Sequence, residues 1–539
     1  MESIFLYKCL LTNKNKYSRL CTLVAPWEMA VNPPYGIPLR KSLENCERGS
    51  KNMLRHLRIQ NFKAWKDTGN IELAPITVFL GTNSSGKSSI AQFLMMLKQT
   101  VEHNDPNEVL FTGDENSAVD VGTPFQMLYG HDTTQSLQFS YDWDVDTPFT
   151  ASFESRFDDS LKGRLTRGKD CFFIGTRIFF NNAIKIREFA GAMEVEKIRY
   201  HVIHENVPIF SLSMEKENET DIYYVSMRGF DKTTTAEIDT QSDLSVTPLK
   251  FYGFHEETIA RYPQIPAMRT LNVQHPKLFA SMFYLGPLRV RTDRLYIWRG
   301  NDLSDVGIDG SNAIFAMLSA NAQWRAYELF DLKKNQYRKL NIGAVIAEML
   351  EKMGLISEFQ VSPIQRGRAE YEVKVKTKGS PVWTDLPDVG FGISQVLPVI
   401  VELFYVPAGS IILMEQPELH LHPSAQAALA DVMIDAIKAR ENGQDRNIQL
   451  LIETHSEHFL RRLQRRIAEG VIDEKTVRGY FADTSETPFQ LRSLEIDTYG
   501  NILNWPEGFF GDIDNDIYLQ ADAALERKIN GMRKKSENH

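Results

Sequence analysis

Apolar residues in this chain gather into a few short continuous runs, far apart, separated by long stretches with strand-like or helical periodicity. Ile76-Thr77-Val78-Phe79-Leu80 is one such run, and Ile90, Phe93, Leu94 and Leu97 then recur at helical spacing. Ser410-Ile411-Ile412-Leu413-Met414-Glu415 and Ile448-Gln449-Leu450-Leu451-Ile452 are two more, more than 300 residues downstream. Continuous apolar runs of this length suit strands covered on both faces. Leu54 to Lys63 reads as a further strand, the first of this layer. The intervening region is more polar, with alternating stretches such as Ile222-Tyr223-Tyr224-Val225-Ser226-Met227 and a Thr-rich turn at Thr233-Thr234-Thr235, and it reads as β-rich. Helical patterns follow over 311–353, then a hairpin around Tyr371-Glu372-Val373-Lys374-Val375 and an apolar helix around 396–403. The pattern predicts an α/β fold, and without a heptad repeat it predicts no long coiled coil.

These elements divide the chain into an N-terminal extension (1–52), a first lobe (53–103), a β-rich insertion (104–284), a helical and hairpin region (285–384), a second lobe (385–470) and a C-terminal region (471–539). The extension differs from the rest. It holds Cys9, Cys21 and Cys46 of the four cysteines, and an Asn32-Pro33-Pro34-Tyr35-Gly36 turn, with no sustained periodicity. It is expected to be disordered or to reflect a misplaced start, with the functional chain beginning near Met53. A length of 539 residues, 42% hydrophobic and 24% charged, is ample for a large folded core. A net charge of −9 excludes a surface basic throughout. No apolar run approaches the roughly 20 residues that span a bilayer, and the start lacks a signal-peptide pattern, so a cytoplasmic protein is expected. The cysteine spacing suggests neither a disulfide framework nor a zinc ribbon.

The candidate chemistry lies where the apolar runs end. Gly81-Thr82-Asn83-Ser84-Ser85-Gly86-Lys87-Ser88-Ser89 fits G-x-x-x-x-G-K-[ST] between a strand and a helix. In that context backbone N–H groups surround phosphate oxygens, Lys87 reaches the β- and γ-phosphates, and the Ser88 hydroxyl sits on Mg²⁺. Glu415 ends the second run as a magnesium-holding acid would, followed by Gln416-Pro417-Glu418-Leu419-His420-Leu421-His422-Pro423. The third run leads into Glu453-Thr454-His455-Ser456, which sets an imidazole where ligands bind in open α/β sheets. Asp388-Val389-Gly390-Phe391-Gly392-Ile393-Ser394-Gln395 is a glycine-flexible turn entering a helix, suited to another anion contact.

These four pieces in this order resemble the ABC-type ATPase heads of the RecF, SMC and overcoming-lysogenisation-defect families. The resemblance implies a P-loop head formed from both lobes. The loop from Gly81 to Ser88 is then the Walker A motif and Glu415 the Walker B acid, with Ser88 and Glu415 holding Mg²⁺. It further implies that Gly390 to Gln395 is a signature-like motif, Leu421-His422-Pro423 the D-loop region and His455 the switch histidine. Two heads would pack head to tail, so that Ser394 and Gln395 meet the ATP of a second copy and ATP binding becomes dimerisation energy. More closely, Tyr284-Leu285-Gly286-Pro287-Leu288-Arg289, the Glu453 to His458 segment and Asn504-Trp505-Pro506-Glu507-Gly508-Phe509-Phe510 resemble a bacterial ATPase family found beside phage-defence genes, similar to the Septu ATPase. That likeness implies a separate effector partner such as a nuclease.

One residue departs from the pattern. Heads of this type carry a glutamate after the Walker B acid, and here the position is Gln416, an amide that can orient water but cannot take its proton. Either hydrolysis is slow and ATP acts as a clamp, or Glu418 or His455 supplies the base. The His420/His422 pair suits an interface loop better than a Zn²⁺ or Mn²⁺ site. Asp512-Ile513-Asp514-Asn515-Asp516 reads as a solvated acidic turn rather than a nuclease centre. Arg461, Arg462, Arg465, Arg466 and Arg533-Lys534-Lys535 could meet nucleic-acid phosphates or could pair with acids. Trp505 to Phe510 reads as an aromatic plug against the core. Three functions follow: an ATP switch controlling a partner, a repair-like ATPase gripping DNA, or a non-hydrolysing scaffold.

Overall fold

Strand content begins with β1 (Leu54–Phe62), whose Leu54, Leu57, Ile59 and Phe62 are buried on one side of a sheet. Next come β2 (Ile76–Gly81), which ends at the phosphate loop, and helix α1 (Lys87–Glu102). A run of long strands follows: β3 (Leu137–Phe153), β4 (Cys171–Ile186), β5 (Met193–His204), β6 (Val207–Lys216), β7 (Tyr223–Gly229) and β8 (Ile238–Thr240). Helix α2 (Ala267–Ala280) then leads to β9 (Met282–Leu285). Beyond it are α3 (Ala313–Ala322), the hairpin β10 (Ala326–Asp331) and β11 (Gln336–Asn341), α4 (Ile342–Lys352), and the hairpin β12 (Ile356–Pro363) and β13 (Glu370–Thr377). The chain continues through α5 (Phe391–Tyr405), β14 (Ile411–Glu415), α6 (Pro423–Lys438), β15 (Gln449–Glu453), α7 (Glu457–Ala468), β16 (Val477–Asp483) and β17 (Gln490–Leu494).

This computed structural model describes residues 53–153, 171–187, 191–217, 222–229, 238–240, 247–263, 265–331 and 334–506, with positions 520, 522–525 and 527. The extension 1–52, the Thr-rich turn at 233–235, the acidic run 512–516, the basic run 533–535 and residues 507–510 of the aromatic block lie outside the described residues.

The phosphate loop sits in a six-stranded sheet of order β9-β14-β15-β2-β16-β17, parallel but for β17. Its central strands β14, β15 and β2 are largely apolar because both faces are covered. Ile76, Val78, Leu80, Ile412, Met414, Leu450 and Ile452 face one core with α3, α4, α5, α6 and α7. The alternate residues, Phe79, Ile411, Leu413 and Leu451, face a second core with α1, α2 and an antiparallel sheet. The architecture is an α/β fold with the phosphate loop at the end of a parallel strand, in which β2 comes from the N-terminal part of the chain and its two neighbours from the last third.

Strand β1 does not lie beside the phosphate loop. It joins β3 to β8 in the nine-stranded antiparallel sheet of the described residues, pairing with β3 through partners such as Ile59 and Phe139. The stretch 311–353 is helical at its two ends only. Between α3 and α4 the chain turns through the β10–β11 hairpin, whose buried Tyr327 and Leu329 alternate with less buried residues in strand fashion.

Candidate nucleotide site

The loop after β2 is shaped by two glycines. Gly81 takes φ +144°, and Gly86, at φ +85°, caps α1, where an added Cβ would lie 2.7 Å from the Ala64 Cβ. No L side chain fits there without moving the chain. The Trp65 indole N–H donates to the Gly86 carbonyl at 2.9 Å and pins the turn from outside. Helix α1 has neither a side-chain cap nor an acidic residue in its first turn, so its leading N–H groups and positive dipole end are free for an anion. Lys87 is buried, and its ammonium donates to the carbonyls of Gly81 (3.2 Å) and Thr82 (2.6 Å) and to the Ser85 hydroxyl (3.3 Å). Burial lowers its pKa. Asn83 and Ser84 are exposed, whereas Ser85 and Ser89 are buried.

Strand alternation decides what joins this loop. Residues 411, 413 and 415 of β14 face the α1 side, as do 451 and 453 of β15, so both strands end by sending a carboxylate toward α1. Glu415 and Glu453 are partners in register. Glu415 accepts a hydrogen bond from the Tyr284 hydroxyl at 2.9 Å, delivered by β9 on the same face. Burial, with the nearby Glu453 charge, pushes the Glu415 pKa up to about 7, against the pull of Tyr284 and Lys63. Burial also raises Glu453, against the pull of Ser88 and of the Lys87 charge.

Gln416 holds a left-handed backbone, φ +44°. Its N–H donates to the Glu453 carbonyl at 2.8 Å, while the buried Arg289 guanidinium donates to the carbonyls of Glu415 (3.1 Å) and Gln416 (3.4 Å). Burial brings the Arg289 pKa down to about 10, with Glu418 opposing. Glu418 is buried and accepts from the His455 N–H at 2.9 Å, and burial raises its pKa. The His455 ring hydrogen-bonds the Gly81 backbone, and burial, helped by Lys87, lowers its pKa, so it is a neutral donor near pH 7.

A cavity of about 440 Å³ brings these pieces together: the loop from Asn83 to Ser89, and Gln416, Glu453 and His455 from the far end of the chain. Lys63 and Gln92 complete its lining. Ser394 and Gln395 are not part of it. The Ser394 hydroxyl donates to the Phe391 carbonyl at 2.8 Å, and the Gln395 amide donates to the Arg289 carbonyl at 3.4 Å. What the start of α5 exposes is Gly390 and the Phe391 ring. Sequence reasoning passed over Glu453, Tyr284, Lys63 and the backbone role of Arg289. The signal for Glu453 was present, since Leu450-Leu451-Ile452-Glu453 repeats the form of Ile412-Leu413-Met414-Glu415.

The remaining candidates have structural partners. His422 caps α6, its ring accepting from the Ser424 N–H, and the His420 ring packs edge-on against Phe391. Among the described residues no group of three or more His, Cys, Asp or Glu is placed to hold a metal on its own. Arg462 and Arg466 pair with Asp431 on α6, Arg465 with Glu469, and Arg461 with Glu457 while lying 4.5 Å from the Trp505 ring centre. Trp505 itself packs against the core of the helical side.

Two family models of AAA domains match separate parts of the chain. Residues 53–226 match a family model described as "AAA ATPase domain". Residues 369–461 match one described as "AAA domain, putative AbiEii toxin, Type IV TA system". The chain carries an ATPase domain. Residues 472–519 match "Protein of unknown function (DUF3696)". No curated protein matches the chain. Among solved structures, the "SMC head domain from Thermotoga maritima" is 12% identical, with 82% of this chain and 99% of that one covered and a TM-score of 0.33. An SMC head bound to the C-terminal winged-helix domain of ScpA is 11% identical, with coverage of 83% and 98% and a TM-score of 0.35. An SMC head with an extended coiled coil, bound to a ScpA C-terminal domain derived from Pyrococcus furiosus, is 9% identical, with coverage of 82% and 96% and a TM-score of 0.33.

Proposed function

We propose that this chain binds ATP·Mg²⁺ in the loop cavity and acts as a slowly hydrolysing, ATP-driven switch that pairs with a second copy of itself. The observation that carries the reading is the convergence of Lys87, Ser88, Gln416, Glu453 and His455, from three distant segments, on one cavity at the ends of parallel strands, with Glu415 beside Glu453 in register. Phosphate oxygens would replace the loop carbonyls as acceptors for the Lys87 ammonium, and the free N–H groups of α1 would take the remainder. A bound Mg²⁺ would neutralise charge between the β- and γ-phosphates. Ser88 offers a hydroxyl and Glu415 a carboxylate on the same face, so the residues present fit the ion.

Slow turnover is supported by the chemistry around Gln416. Its amide lines the cavity and can orient water, but it cannot accept a proton. His455, neutral and hydrogen-bonded to Gly81, is placed to donate toward a γ-phosphate. Glu418 accepts from the His455 N–H through one oxygen and is not among the residues lining the cavity, which leaves it a supporting group rather than the base. Pairing of heads is the role left for the exposed start of α5, which lies outside its own chain's cavity. The paired state of Arg461, Arg462, Arg465 and Arg466 argues against this helix as a DNA grip. A separate effector such as a nuclease, a role in phage defence and a cytoplasmic location remain part of this proposal. They rest on the family likeness, and no helix among the described residues is long and apolar enough to cross a membrane.

Calorimetry of ATP uptake tests the core of it. Wild type is expected to bind ATP with magnesium, and Lys87→Ala to lose roughly 10²-fold or more in affinity, since a buried charge-assisted contact to phosphate is removed. Uptake that is indifferent to Lys87 would refute the proposal.

A further inference from the structure

Glu453 is 7% exposed and lines the nucleotide cavity. Its buried oxygen Oε2 has no hydrogen-bond partner. It stands beside Glu415 in register, on the same face of adjacent parallel strands. A second buried carboxylate next to the first, with an oxygen left unbonded, is an unfavourable arrangement unless a cation is shared between them. Lys87 is not positioned to be that cation, because its ammonium already serves three acceptors of its own loop.

We propose that Glu453 is a third protein group on the nucleotide's Mg²⁺, so that Ser88, Glu415 and Glu453 together form a two-carboxylate clamp across β14, β15 and the start of α1. This rests on the ATP·Mg²⁺ reading of the cavity. Mg²⁺ is held in such sites by one or two carboxylates plus substrate phosphates and water, a set that needs no protein cage of three acids or imidazoles. Ser88 and Glu453 line the same cavity, so the Ser88 hydroxyl oxygen and Glu453 Oε2 would both be available to the ion or one of its waters. The clamp also gives Gln416 a reason. With Glu415, Glu453 and Glu418 already buried within one corner, a fourth carboxylate at 416 would add a further like charge beside them.

The test is the Mg²⁺ concentration needed for half-maximal ATP binding, measured by calorimetry on the full chain, with Mn²⁺ resonance spectra of the Mn²⁺·ATP complex as a second readout. Glu453→Gln keeps the shape and removes the charge. It is expected to raise the Mg²⁺ requirement about 10- to 100-fold, to tighten magnesium-free ATP binding by removing a negative charge beside the phosphates, and to alter the Mn²⁺ spectrum. Glu453→Asp, which keeps the charge on a shorter arm, is expected to raise the requirement by a smaller factor and serves if the amide variant does not fold. A wild-type requirement in the folded variants, with Lys87→Ala still abolishing uptake, overturns the clamp and leaves the ATP site standing. Absence of ATP uptake by wild type at any magnesium concentration overturns the site itself.

Discussion

At the scale of single residues the site is governed by carboxyl groups held out of water. The Glu415 carboxyl titrates near 4.5 when unfolded and about 7 when folded. Below about pH 4.5 it is protonated in both states. Between pH 4.5 and 7 the unfolded chain releases the proton that the folded chain keeps, so stability falls as pH rises, by roughly 3 kcal/mol in all, and then levels. Melting temperatures measured from pH 4.5 to 8 without nucleotide should show this slope, flattened in Glu415→Gln. Magnesium binding needs the deprotonated group, so ATP·Mg²⁺ affinity should run the opposite way, weakening as pH drops below 7. Arg289 acts on the same corner through the backbone. Arg289→Lys loses the Nη2 group that donates to both the Glu415 and Gln416 carbonyls, and is expected to keep ATP affinity within a few-fold while phosphate release drops about tenfold. Equal losses in both would assign Arg289 to the nucleotide instead.

Among the elements, α5 and the α6–α7 pair carry predictions of stability. Glu402, fully buried on α5, accepts from the Val306 N–H at 3.1 Å through one oxygen and has no partner for the other. Burial brings its pKa up to about 8. Above that pH the folded chain bears a buried charge, so Glu402→Gln should stabilise by a few kcal/mol at pH 8.5 and by little below pH 4.5, read from denaturant midpoints. On α7, Arg462→Ala removes a partner of Asp431 and should cost about 1–3 kcal/mol in the same assay without a change in DNA affinity, since that arginine is already paired.

The same elements show what could be read in advance. The loop, α1, β14 and β15 were legible because strands covered on both faces leave unbroken apolar runs, and because Gly86-Lys87-Ser88 has one physical use in that setting. The pairing of β1 was not, since Leu54, Leu57 and Ile59 are equally suited to either sheet and only contacts with β3, some 80 residues away, choose. The β10–β11 hairpin hid inside a helical pattern because Ala326, Tyr327 and Leu329 suit both periods over so short a span. Glu453 escaped notice because His455, two residues on, absorbed the attention given to that strand end.

For the whole molecule, the prediction concerns assembly. Phe391 is 46% exposed at the start of α5, next to the exposed Gly390. If ATP draws two heads together across this surface, sedimentation should show a dimer with ATP·Mg²⁺ and a monomer without it. Phe391→Glu should hold the chain monomeric while ATP binding per chain stays near wild type. A wild type of unchanged size with saturating ATP rules out the pairing.

The placement of β2 between β15 and β16 has a consequence for how the molecule is made. On the ribosome the phosphate loop emerges early, yet the strands that flank it appear some 370 to 400 residues later. At about 5–20 residues per second this is a delay on the order of tens of seconds. The antiparallel sheet can zip up meanwhile, with β1 committed to it, but β2 waits with both edges bare. A newborn chain therefore completes the cavity around Lys87 only near the end of translation, and a transcript cut short before β15 leaves the phosphate loop without Glu453 and His455.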